Sequence, residues 1–116
     1  MNTQDAVQQS AEAPPQERRI LYAENLFRAR WQKWEARGKS DQEHEFLLRF
    51  LGNWAQDIVS TLNFGQQQLY AREIPLQLGY LLGVAVASNH TLDQFMDAAL
   101  KYLRSLNVSA RNPVFG

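Results

Sequence analysis

Residues 74–88 read IPLQLGYLLGVAVAS, a run without a formal charge that is apolar on nearly every side of a helix. A segment of this kind needs a cover in a small soluble protein. The run is closed off by Glu73 and Asp93, too early for a membrane span of roughly 20 apolar residues. It must therefore be buried by the rest of the chain, by another protein, or by both.

Pro75 suits the first turn of a helix, where its missing amide hydrogen is not needed, and the pattern predicts a helix over residues 75–87. Leu78, Leu81, Leu82 and Ala85 share one face, whereas Leu76, Tyr80, Val84 and Ala87 point elsewhere. Gly79 and Gly83 stack on one side and allow another backbone to come close. Each glycine costs a helix about 1 kcal/mol relative to alanine. A two-fold dimer through this helix is the expected cover, with Gly79, Leu82, Gly83 and Val86 as its contacts.

The remaining pattern is helical throughout. Ile20, Ala23, Phe27, Trp31 and Trp34 recur at three- and four-residue intervals and predict a helix from about residue 16 to Arg37, stopped by Gly38. Ser40 and Glu43 have the spacing of a capping box. The helix they open carries Leu47, Phe50, Leu51, Trp54, Ile58 and Leu62 on one face. Asn63-Phe64-Gly65 predicts a break followed by a short helical piece. Thr91 and Gln94 form a second capping-box signal, ahead of a stripe of Leu92, Phe95, Met96, Ala99, Leu100, Leu103 and Leu106. The expected fold is all-α: a compact bundle of four main helices plus a short one, with a leader over residues 1–16, a helical domain over 17–106 and a tail over 107–116, in which Val114 and Phe115 could lie across a groove.

Composition narrows the function. Twelve basic residues balance twelve acidic ones, so there is no overall pull towards nucleic acid or anionic membrane. The chain has no cysteine, which excludes disulfides, thiol catalysis and cysteine-based zinc sites. His44 and His90 share no metal-ligand spacing, no nucleophile elbow surrounds any serine, and no phosphate-binding glycine loop is present. No catalytic, cofactor or metal site is expected, and the polar first residues do not resemble a signal peptide, so the expected location is cytoplasmic.

Binding of protein is the better-supported expectation. Tyr22, Leu26, Trp31 and Trp34 are candidate contacts for a protein partner, because aromatic side chains often anchor interfaces, with Arg30 and Lys33 as a steering rim. Arg30, Lys33 and Arg37 form a basic stripe that could meet phosphates. A solvated face is the stronger expectation for it, and direct nucleic-acid binding is the lesser one.

In size, helical content and lack of catalytic groups, residues 15–106 resemble the small all-helical bacterial anti-activators of LuxR-type quorum-sensing regulators. The resemblance implies a protein that sequesters a transcription regulator and keeps it from DNA or from assembly. The alternative is an accessory or structural subunit of a larger protein complex.

Overall fold

The computed structural model describes residues 15–108, except the side chain of Gln16. Among the described residues five helices follow one another: α1 (Pro15–Ala36), α2 (Asp41–Val59), α3 (Phe64–Tyr70), α4 (Glu73–Ala87) and α5 (Leu92–Ser105). They form a compact all-helical bundle, as the periodicity predicts. The leader up to residue 14 and the tail from residue 109, including Val114 and Phe115, lie outside the described residues.

The core is aromatic at its centre. Phe27 of α1 stacks on Trp54 of α2 at 6.2 Å and meets Phe95 of α5 at 5.4 Å. Trp31 packs beside Phe95 at 5.7 Å and presents an edge contact to Trp34 at 5.3 Å. Leu47, Leu51 and Ile58 of α2, Ile74, Leu78, Leu82 and Ala85 of α4, and Met96, Ala99 and Leu103 of α5 complete it. Each of these sets recurs at helical spacing, so one face of every long helix is committed to the interior.

Three helix ends are closed by left-handed residues. Gly38 and Lys39 turn the chain after α1, Asn89 after α4 and Asn107 after α5, with φ between 56° and 73°. In each case an amide reaches back past the last turn: Lys39 to Trp34, His90 to Ala85 and Val108 to Leu103. These bonds satisfy carbonyls that a helix terminus would otherwise leave unpaired.

The helix starts depart from the sequence reading in two places. Ser40 caps α2 by accepting the Glu43 amide at 3.3 Å, but Glu43 does not return the bond. Its carboxylate is buried and turned towards α1, where Arg37 donates to it at 2.8 Å and Arg30 lies 3.8 Å away. The half of the capping box that fails is thus diverted into an interhelix ion pair. Thr91 and Gln94 do form both halves of theirs, and Asn63 with Gln66 forms a second complete box. The second departure is at α4, which begins at Glu73 rather than Pro75. Ala71 and Arg72 keep right-handed helical angles, so α3 runs into α4 through a short helical link. Pro75 still lies in the first turn, where its lack of an amide costs no intrahelical bond.

Candidate protein-interaction surfaces

Among the described residues, two apolar surfaces stand out once the core is assembled. The first is on α4. Leu78, Leu82 and Ala85 point inward, which turns Leu76, Tyr80, Gly83, Val84 and Ala87 to solvent on the opposite side. Leu76 is 74% exposed and Tyr80 65%. Leu69 of α3, also exposed, joins Leu76 across an open cleft of about 670 Å³ that includes Arg72, Glu73 and Gln77. Exposed leucines occur singly on most surfaces, but a continuous uncharged helix face is a different observation.

The glycines of α4 belong to this face. Gly83 is exposed and Gly79 half-buried. A β-carbon added to either would meet nothing within 4 Å. Packing within the chain therefore gives no reason for two helix-weakening residues so close together.

The second surface is a groove between α1 and α2. Tyr22, Ala23 and Leu26 form one wall, Phe50, Asn53, Gln56 and Asp57 the other, and the space between them is about 310 Å³. Tyr22 is 66% exposed at its lip and Leu26 half-buried.

The structure separates the sequence candidates. Trp31 (0% exposed), Trp34 (2%) and Leu82 (0%) are core residues, which corrects their assignment as contacts with another molecule. Trp31 and Trp34 lie in the apolar stripe of α1 that α2 and α5 cover, and Leu82 falls on the inward side of α4. Val86 is half-buried against the core. Tyr22, Leu26, Gly79 and Gly83 retain surface. Lys33 is exposed, but Arg30 is sunk over the Phe46 ring at 4.4 Å and turned towards Glu43. With Arg37 paired to the same carboxylate, two of the three cations in the basic stripe are occupied within the chain.

Leu76, Tyr80 and Val84 were legible as a second stripe at i, i+4 and i+8, though not as the exposed one. Periodicity separates two faces of an apolar helix without ranking them. The choice falls to the neighbours, and α2 and α5 take the Leu78 side.

The titratable groups offer little chemistry. The His44 ring lies tilted beside Trp34 at 6.2 Å, and His90 is half-buried in the α4–α5 turn. Burial, reinforced by Glu73 and then Tyr70, raises the Tyr102 pKa above its ordinary value. Among the described residues no group of three or more His, Cys, Asp or Glu side chains could hold a metal ion, and no helix is long and apolar enough to cross a membrane. Comparison with protein families, curated proteins and solved structures finds no match to this chain.

Proposed function

We propose that this chain is a protein-interaction module that acts by occupying part of a partner's surface rather than by chemistry. The observation that carries the reading is the α1–α2 groove, with an exposed tyrosine at its lip, half-buried Leu26 and Phe50 in its walls and polar Asn53, Gln56 and Asp57 along one side. A groove between two helices suits an amphipathic helix of a partner, whose apolar side chains would fill it while polar Asn53, Gln56 and Asp57 meet its edge. In this reading the partner is a transcription regulator, and the module acts as an anti-activator by covering a surface the regulator needs for DNA binding or assembly. Support for that finer assignment is the class resemblance described above.

Affinity capture from the native cell, comparing wild type with Tyr22→Asp and Leu26→Asp, tests the reading. A defined protein retained by the wild type and lost from both variants, with helicity unchanged, is the expected result. Capture that is indifferent to both substitutions would remove the groove from the account. A complex that forms only with DNA and dissolves steeply with salt would replace the reading with direct nucleic-acid binding.

A further inference from the structure

The outward face of α4 has a symmetry that the α1–α2 groove lacks. We infer that it is a homodimer interface in which two copies of α4 pack antiparallel about a two-fold axis passing between Leu81 and Leu82. The inference is independent of what the groove binds.

The argument starts from the order of large and small residues. An antiparallel two-fold at that point brings Leu76 level with Ala87 of the second copy and Tyr80 level with Gly83, each pair occurring twice. All four positions are exposed on one helix face. Each large side chain therefore meets a small one, which is the condition for two identical surfaces to interlock. Gly79 and Val84 come level in the same way at the margins of the contact. The empty space above Gly79 and Gly83 is then where side chains of the second copy, led by Tyr80, would pack, and this accounts for glycines that packing within the chain leaves unexplained.

Charge and area agree with this occupant. No Asp, Glu, Lys or Arg lies between Glu73 and Asp93, so none is buried by the contact. Glu73 itself comes to the far end of the second copy's α4, beside its Asn89-His90 turn. Lys39 donates a hydrogen bond to the Asn89 side chain there and places a positive charge at that end. The exposed parts of Leu76, Tyr80 and Val84 leave roughly 350 Å² of each copy in water, within the size of the patches on small proteins that are often functional. With the glycine and alanine surface between them, two copies would bury roughly 900 Å², the size of a weak, reversible contact that forms and dissociates with concentration.

The natural absence of cysteine makes the register directly testable. In the full chain carrying Leu76→Cys and Ala87→Cys, mild oxidation is expected to give a covalent dimer on a non-reducing gel. Leu76→Cys alone is expected to remain monomeric, because its two copies would lie about 16 Å apart along the helices at 1.5 Å rise per residue. Adding Gly83→Leu to the double-cysteine chain should cut the cross-linking yield at least tenfold without changing helicity, since Gly83 is exposed and a β-carbon there meets nothing within 4 Å in its own copy.

Efficient cross-linking by Leu76→Cys alone would overturn the antiparallel register, and indifference to Gly83→Leu would overturn the large-to-small fit. Because Leu76→Cys itself trims the contact, the wild-type mass in solution is measured alongside. A wild type that stays monomeric on concentration overturns the dimer, while loss of the captured partner in Tyr22→Asp would still stand as a separate result.

Discussion

Gly83→Ala separates what α4 needs inside its own chain from what it needs from a second copy. Gly83 lies inside a helix, is exposed, and would accept a β-carbon with nothing nearer than 4 Å. The isolated fold should therefore gain the difference in helix propensity, about 1 kcal/mol. For a domain of this size that corresponds to a rise in Tm of about 4–8 °C. In the paired state the same methyl group faces Tyr80 of the other copy, so the gain should shrink as concentration rises and the dimer comes to dominate. Trp31, Trp34 and Trp54 are all buried, and their fluorescence reports unfolding in denaturant at each concentration. Destabilisation in dilute solution would refute the local argument, because it would mean that the monomer requires the glycine. A gain of the same size at every concentration would refute the contact with Tyr80.

Three further outcomes follow from the interior. Trp31→Ala should destabilise the fold by about 3–5 kcal/mol in denaturant titration, because Trp31 is fully enclosed; a change under 1 kcal/mol would return it to the surface. Glu43→Gln should cost about 2 kcal/mol, below the usual cost of breaking a fully buried pair because Arg37 is 59% exposed, and a thermal melt unchanged from wild type would show the ion pair to be dispensable. The Tyr102 hydroxyl is raised above its ordinary value of 10.0 by burial, then by Glu73 and Tyr70, so the neutral phenol is favoured in the folded state. Its contribution is fully present below pH 10 and lost as pH rises through the folded-state value, so Tyr102→Phe should lose less stability than wild type between neutral and strongly alkaline pH. Equal alkaline losses would remove Tyr102 from that response.

Much of this fold was readable from periodicity and end signals. The stripes of α1, α2 and α5, the stop at Gly38 and the reciprocal cap at Thr91 all follow from local rules that tertiary packing reinforces. Glu43 shows where local rules give way: its spacing from Ser40 predicts a bond to the backbone, yet two arginines brought by α1 compete for the same carboxylate. The candidate contacts were less legible for a related reason. Trp31 and Trp34 have the chemistry of interface anchors, and the same chemistry suits a core. The burial of Trp31 depends on α5, which packs Phe95 beside it from far along the chain, while Trp34 lies against Trp31 and the His44 ring of α2. On α4 the two glycines retain surface, whereas Leu82, which the sequence reading groups with them, lies towards the interior. The outward partners of the glycines are Tyr80 and Val84.

Sedimentation equilibrium across a dilution series tests the central claim about α4 most directly. Wild type should approach twice the 13.4 kDa chain mass when concentrated and return to 13.4 kDa when diluted. Tyr80→Lys should stay at the single-chain mass throughout, with its melting behaviour in dilute solution intact. A wild-type chain that is a 13.4 kDa species at every concentration, with the α4 face bare in water, would contradict the account.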